Sequence, residues 1–330
     1  MSQSNKNDTL LDVKDLKMYF PITRGLLRKH VADVKAVDGG SFQLKKGETL
    51  GLVGESGCGK TTVGRCVIRL YQPSSGQILF DGTDISTLPE RKIRPLRSRI
   101  ALIFQDPYSS LDPRQSAESI VGEPLRVHHM VKTNAEYKDR VAELFRTVGL
   151  DPSMGDRFPH EFSGGQRQRI GVARALACQP NLIVCDEPIS ALDVSIQAQI
   201  INLLQELQEG MKELSYIFIA HDLSVVKHIS NRIAVMYLGR IVEITRPKEL
   251  YENPLHPYTK ALMSAIPVPD PYIEETRERI ILRGEVPSPI NPPSGCSFHV
   301  RCYMATPECS QSTPPLRDMG NGHFVACMRV

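Results

Sequence analysis

Gly54-Glu55-Ser56-Gly57-Cys58-Gly59-Lys60-Thr61 is the stretch that decides the fold. It fits G-x-x-x-x-G-K-[ST], a loop that cradles phosphate groups. Glycines let backbone N–H groups curl around phosphate oxygens with no Cβ in the way. The loop opens a helix, whose N-terminus adds partial positive charge. Lys60 is expected to reach the β- and γ-phosphates, and the Thr61 hydroxyl to ligate Mg²⁺, with Thr62 beside it. A surface Gly-rich turn is the bland alternative. The flanks argue against it: Glu48 to Val53 (ETLGLV) is a short apolar run ending at Gly54, and a helical pattern starts near Lys60.

Working outward, residues 11–20 (LDVKDLKMYF), Gln77 to Phe80, Ile100 to Phe104, Leu182 to Cys185 and Tyr216 to Ala220 read as strands. Ile233 to Ile244, broken at Leu238-Gly239, reads as a hairpin, and Ile196 to Gln208 as an amphipathic helix. From about Ser116 to Ala177 the periodicity is mainly helical, with one break at Pro152, Gly155 and Pro159. Strands alternating with helices imply an α/β fold with a largely parallel sheet and an inserted helical subdomain.

Composition agrees with a globular chain: 330 residues, 41% hydrophobic and 23% charged, with a net charge of +3. Disorder throughout is disfavoured, and the net charge is too small to argue for nucleic-acid binding from bulk charge. No apolar run approaches the ~18 residues of a membrane helix. Met1 to Leu10 is polar, with no apolar core of a secretion signal. A peripheral place at a membrane stays open. The basic residues Arg24, Arg28, Lys29 and His30 read as a solvated loop, because they lack aromatic interleaving.

Leu182-Ile183-Val184-Cys185-Asp186-Glu187 is an apolar strand ending in two carboxylates. Such a strand can aim Asp186 at Mg²⁺ and set Glu187 near the γ-phosphate, where it orients or deprotonates the attacking water. Alone this pattern is commonplace; in one chain with the phosphate loop it carries weight.

Phe162-Ser163-Gly164-Gly165-Gln166-Arg167-Gln168-Arg169, taken with those two motifs, resembles the signature sequence of ABC-type ATPases. Ser163 is a good N-cap, and Gly164-Gly165 expose N–H groups at a helix start. Other landmarks follow in order. Gln105 in Phe104-Gln105-Asp106-Pro107 resembles the Q-loop, Ser190-Ala191-Leu192-Asp193 the D-loop, and His221 the switch histidine. Phe20 sits where an adenine-stacking aromatic is expected, with Tyr19 a substitute. The resemblance implies a P-loop NTPase (RecA-like) core with an antiparallel β region and a helical subdomain at about 106–178. It further implies ATP and Mg²⁺ held with Thr61, Gln105 and Asp186, catalysis by Glu187, His221 and Gln105, and a head-to-tail dimer. In that dimer Ser163, Gly164, Gly165 and Gln166 act on the partner's ATP.

After about Tyr251 the texture changes: prolines crowd, from Pro254 and Pro257 through Pro267, Pro269 and Pro271 to Pro314 and Pro315. A second segment over 251–330 is expected, following an ATPase domain over 1–250. Cys296, Cys302, Cys309 and Cys327 crowd its end. Structural zinc sites usually contain a close Cys pair, which is missing here. A [4Fe–4S] cluster suits four such thiolates at least as well. Zinc and no metal remain alternatives, with His299 and His323 as substitute ligands. A staple for a Pro-rich segment with little core is the expected role.

Asn253-Pro254-Leu255-His256-Pro257-Tyr258-Thr259, Leu282-Arg283-Gly284-Glu285-Val286-Pro287-Ser288-Pro289 and Pro293-Ser294-Gly295-Cys296 resemble the region after the ATPase core in oligopeptide/dipeptide transporter subunits. Some related ATPases are similar in carrying an iron–sulfur cluster there. The resemblance implies an ATPase subunit of a bacterial peptide importer at the cytoplasmic face of the membrane. Its partners would be a second, different ATPase subunit, two permeases and, indirectly, an extracytoplasmic peptide-binding protein, with no nucleic acid. Nickel importers are close relatives. A soluble ABC ATPase and a non-hydrolysing regulatory subunit are the rivals; the chain has one phosphate loop and no heptads, and Glu187 and His221 are intact.

Overall fold

A computed structural model describes residues 8–25, 28–106, 108–266 and 279–330. Pro107, Pro267, Pro269 and Pro271, and the polar start Met1 to Asn7, lie outside the described residues. In chain order the elements are β1 (Thr9–Arg24), β2 (Lys29–Lys45), β3 (Thr49–Val53), α1 (Lys60–Val67), β4 (Ser75–Phe80), β5 (Thr83–Asp84), α2 (Glu90–Ile93) and β6 (Ile100–Ile103). Next come α3 (Ala117–Val127), α4 (Asn134–Thr147), α5 (Gly164–Leu176), β7 (Leu182–Asp186), α6 (Val194–Gly210) and β8 (Ser215–Ile219). The chain continues through α7 (Leu223–Ile229), β9 (Arg232–Tyr237), β10 (Arg240–Thr245), α8 (Pro247–Glu252), α9 (Pro257–Ala265), β11 (Arg317–Asp318) and β12 (Phe324–Val325).

The chain divides into two compact units. One is built chiefly from Lys45–Glu48 and Thr87–Ile219, the other from Thr9–Leu44, Thr49–Ser86 and Ala220–Val330. In the first, β6, β7 and β8 pair in parallel, with Ile103 opposite Cys185 and Asp186 opposite Ile219. Every residue of β7 and β8 is buried, as a strand covered on both faces requires. That is why Leu182 to Cys185 is uniformly apolar rather than alternating. The same unit carries the helices α3, α4 and α5. Ser116 and Thr133 cap α3 and α4 by accepting the N–H groups of Ser119 and Glu136. The Tyr137 hydroxyl crosses from α4 to donate to the Glu118 carbonyl of α3 at 3.1 Å.

The second unit holds a four-stranded sheet in the order β2-β1-β4-β5, with β1 and β4 antiparallel. It also holds β3 paired in parallel with β9, then β10, β12 and β11 in antiparallel succession. The β9–β10 turn is Leu238-Gly239, both at positive φ (44° and 80°), the geometry a tight two-residue hairpin needs. Of the basic residues read from sequence as a loop, Arg24 ends β1 and Lys29 and His30 begin β2, where His30 pairs with Asp33 at 2.9 Å, because strand pairing extends further than the local pattern indicates.

Among the described residues, the Pro-rich segment after Tyr251 is mostly irregular but carries some regular structure. It contains α9 and the short strand β12, whose Val325 and Phe324 pair with Glu243 and Ile244 of β10. Glu243 is fully buried and collects three donors: the N–H groups of Leu255 and His256 at 2.9 Å each, and His323 Nε2 at 2.6 Å. Burial pushes its carboxyl pKa up, but the His323 and backbone hydrogen bonds outweigh burial and hold it below the usual range. A single buried carboxylate thus ties β10, the start of α9 and the strand-forming tail together.

Candidate functional site

The phosphate loop folds as its composition requires. Gly54 and Gly59 have φ of 149° and 106°, and a Cβ on either would lie 2.1–2.2 Å from the carbonyl oxygen of Met236 or Ala36. Only glycine fits both positions. Gly59 is the N-cap of α1, so the first N–H groups of that helix open toward the loop. Lys60 is 5% exposed, and its ammonium donates to the Gly54 and Glu55 carbonyls at 2.8 and 3.1 Å. Cys58 is buried, which pushes its thiol pKa up; its Sγ lies 3.8 Å from Lys60 Nζ. Ser56 and Gly57 are exposed at the tip, and Thr61 and Thr62 are half-buried in the first turn of α1.

On β1, Phe20 sets its ring edge-on to Tyr71 with centroids 5.4 Å apart. Tyr19 is committed elsewhere: its hydroxyl donates to Asp38, which also receives Arg240 at 2.6 Å. Burial and the Asp38 hydrogen bond push the Tyr19 pKa up to about 12. Phe20 is therefore the freer face of the pair. His221 is exposed and lies just before α7, which Asp222 caps by accepting the Ser224 N–H at 2.8 Å.

The other unit carries the carboxylates. Asp186 closes β7 with 4% exposure. Glu187 follows at φ 46°, a left-handed conformation uncommon outside glycine. Its N–H still donates to the Ile219 carbonyl of β8 at 3.0 Å, and Gln105 Nε2 donates to its Oε2 at 3.0 Å. Ser190 returns both its N–H and its hydroxyl to the Glu187 carbonyl, so residues 187–190 form a turn. Ala191 is exposed, Leu192 is half-buried, and Asp193 caps α6 with extended backbone.

The signature segment forms a capping box. Ser163 Oγ accepts the Gln166 N–H at 3.3 Å, and Gln166 Oε1 accepts the Ser163 N–H at 3.0 Å. Ser163 and Gly164 are exposed at the N-terminus of a 13-residue helix. A Cβ on Gly165 would meet Ile196 at 2.7 Å, and one on Gly164 would meet Leu192 at 3.3 Å. The signature helix start therefore packs close against the D-loop and α6.

Gln105 and Asp186 in the first unit carry an amide carbonyl and a carboxylate, and Thr61 in the second carries a hydroxyl; hard oxygen donors of this kind suit Mg²⁺. The four C-terminal cysteines are free thiols, and backbone N–H groups of Met304 and Arg329 point at the sulfurs of Cys302 and Cys327 at 3.4 Å each. Burial raises the thiol pKa of Cys296 and Cys302. Among the described residues, however, no group of three or more His, Cys, Asp or Glu side chains gathers into a metal site.

The sequence reading missed two residues at the phosphate loop, Tyr258 and Arg301. The Glu55 N–H donates to the Tyr258 hydroxyl at 2.9 Å, and Arg301 pairs with the Glu55 carboxylate at 2.9 Å. Tyr258 lies 203 residues from Glu55 and Arg301 lies 246. No local pattern reports contacts at such separations.

Comparison with known proteins decides the family. Residues 37–190 match the ABC transporter family, and residues 242–309 match the oligopeptide/dipeptide transporter C-terminal region. The oligopeptide transport ATP-binding protein AppF of Bacillus subtilis is 58% identical over 328 residues, covering 99% of each chain. The chain belongs to the ABC transporter ATP-binding proteins of the oligopeptide/dipeptide type. OppF of Escherichia coli, an oligopeptide transport ATP-binding protein, is 52% identical over 323 residues, covering 97% of this chain and 96% of its own. Among solved structures, a dimeric ATP-binding cassette in a post-hydrolysis state with ADP and Pi superposes with a TM-score of 0.64 at 26% identity. That match covers 72% of this chain and 98% of the other. Among the described residues of this ABC subunit, no helix is long and apolar enough to cross a membrane.

Proposed function

We propose that the chain is the ATP-hydrolysing subunit of a bacterial oligopeptide or dipeptide importer, acting at the cytoplasmic face of the membrane. The observation that carries this reading is the likeness over 96–99% of the chain's and the relatives' length to oligopeptide transport ATP-binding proteins, supported by the presence of Lys60, Asp186, Glu187 and His221 in the sequence. The domain reading places the ATPase over 1–250, with the helical subdomain at about 106–178, and a transporter-specific extension over 251–330.

In this account Gly54, Glu55, Ser56, Gly57, Cys58, Gly59, Lys60, Thr61 and Thr62 wrap the triphosphate, and Phe20 stacks on adenine, with Tyr19 as substitute. Lys60 exchanges the loop carbonyls it now holds for phosphate oxygens. Thr61, Gln105 and Asp186 would hold Mg²⁺, which would supply charge neutralisation at the phosphates. Glu187 takes the proton of the attacking water while His221 supports the γ-phosphate. Ser163, Gly164, Gly165 and Gln166 of a second cassette cover the same nucleotide, and Ser190, Ala191, Leu192 and Asp193 relay closure between cassettes. The second cassette is a different ATPase paralogue. Two permeases dock near Gln105 to Leu111, where Tyr108 is 62% exposed, and a peptide-binding protein loads them from outside. Closing and reopening with nucleotide state is a population shift that the permeases follow.

Cys296, Cys302, Cys309 and Cys327 are proposed ligands of a [4Fe–4S] cluster, with zinc the lesser alternative. The soft donor set and the N–H groups aimed at sulfur support this, and no step of hydrolysis depends on it. Its role would be that of a staple.

The test is reconstitution of this subunit with a second ATPase subunit and two permeases. Hydrolysis stimulated by the binding protein loaded with peptide supports the reading. Stimulation only by nickel-loaded binding protein would move the cargo to nickel. Steady hydrolysis without any permease would favour a soluble ATPase, and absence of hydrolysis a regulatory subunit.

A further inference from the structure

Glu55 is the acidic side chain of the phosphate loop, and it is held from both ends by the C-terminal segment. Its N–H donates to the Tyr258 hydroxyl at 2.9 Å, and its carboxylate receives the two terminal nitrogens of Arg301 at 2.9 and 3.4 Å. The pair is largely dry, with side-chain exposures of 9% for Arg301 and 27% for Glu55. The holders are themselves fixed. Tyr258 and Tyr237 are fully buried, and Phe298 packs on both with centroids 5.4 and 5.1 Å away. The Arg301 guanidinium lies 5.9 Å from the Tyr237 ring centroid. A planar guanidinium gripping a carboxylate through two nitrogens fixes direction as well as charge.

A loop that must accept a polyanion is disfavoured by a negative side chain of its own. We propose that Arg301 is a positioning residue for ATP binding. Through Glu55 it cancels the charge the loop would otherwise turn on the triphosphate, and with Tyr258 it holds the loop in its curled form. The inference rests on the reading of residues 54–61 as the triphosphate cradle. It gives the C-terminal segment a task at the nucleotide site in addition to its own folding. A mere staple would alter thermal stability and leave nucleotide affinity untouched.

The test measures MgATP affinity of the full-length chain by titration calorimetry, and KM and kcat in the assembled transporter. Arg301→Met is expected to weaken binding and raise KM about three- to tenfold, with kcat at saturating ATP within about twofold of wild type. Glu55→Gln placed on Arg301→Met removes the uncancelled charge, so affinity returns most of the way. Arg301→Lys, which keeps charge and loses the fork, falls between. Should Arg301→Met fail to fold, Tyr258→Phe, which deletes one oxygen from a packed ring, is expected to weaken binding about two- to fivefold. Unchanged affinity in the folded variants, or no recovery in the double variant, overturns the inference. Lys60→Ala separates the two levels. If it abolishes binding while Arg301→Met and Tyr258→Phe do nothing, only this inference falls; if Lys60→Ala binds normally, the cradle reading falls with it.

Discussion

Gln105 donates from Nε2 to the Glu187 carboxylate at 3.0 Å, joining two residues 82 positions apart. The amide that starts the link to the helical subdomain therefore holds the residue proposed to activate water.

Glu187→Gln keeps the shape of that contact and removes the base. ATP hydrolysis is expected to fall by about 10²-fold or more while MgATP affinity stays near wild type. Phosphate release in the assembled transporter and calorimetric titration of the subunit check the two halves separately. Turnover near normal would remove Glu187 from its role.

Gln105→Ala leaves the base intact and removes its hydrogen bond from Gln105. A smaller loss, about tenfold in kcat, is expected, together with weaker stimulation by the loaded binding protein. A loss equal to that of Glu187→Gln would mean that Gln105 acts in the chemistry itself.

Glu243→Ala leaves His323 and the N–H groups of Leu255 and His256 without their buried acceptor. The expected cost is about 3–5 kcal/mol, because a buried pair loses one member. Thermal or urea unfolding checks this. A change under about 1 kcal/mol would show that the tail is not held through β10.

Acid should loosen the start of α9. His256 is buried, and burial pushes its pKa down to about 4, against the Glu243 charge. Its Nδ1 accepts the Tyr258 N–H at 3.1 Å, so the folded state needs the neutral ring. A histidine with a lowered folded pKa binds fewer protons folded than unfolded. Its contribution is complete above about pH 6.5 and is lost as pH falls from there toward 4. Glu243 acts in the same direction: its folded pKa is lowered, so its contribution is present above the unfolded carboxylate range and lost as pH falls through the folded value. Melting temperatures between pH 7.5 and 5 should decline, and His256→Asn, which retains an acceptor that does not protonate, should flatten the decline. An unchanged slope in that variant would contradict the role given to His256.

Much of this architecture was legible in local pattern. Leu182 to Asp186 announces a strand covered on both faces, and Leu238-Gly239 its hairpin turn. The phosphate loop, its flanks and the Ser163 cap are also local features, each decided within about ten residues. β2 was harder, because Lys29–Lys45 is mostly half-exposed and carries Gly39-Gly40 in its middle. β12 is two residues long, too short for any period to show. The ties of Tyr258 and Arg301 to Glu55, and of Gln105 to Glu187, depend on folding that brings distant residues together. Burial of Glu243 likewise follows from strands pairing across the second unit, which its own neighbours in sequence do not foretell.

The most direct measurement is uptake of a labelled oligopeptide into proteoliposomes holding the complete transporter, with ATP inside the compartment facing this subunit. The account predicts uptake that needs ATP, tracks phosphate release, and is abolished together with it by Glu187→Gln. Peptide accumulation that persists in the Glu187→Gln transporter, or hydrolysis that proceeds with no peptide moved by the intact one, would contradict it.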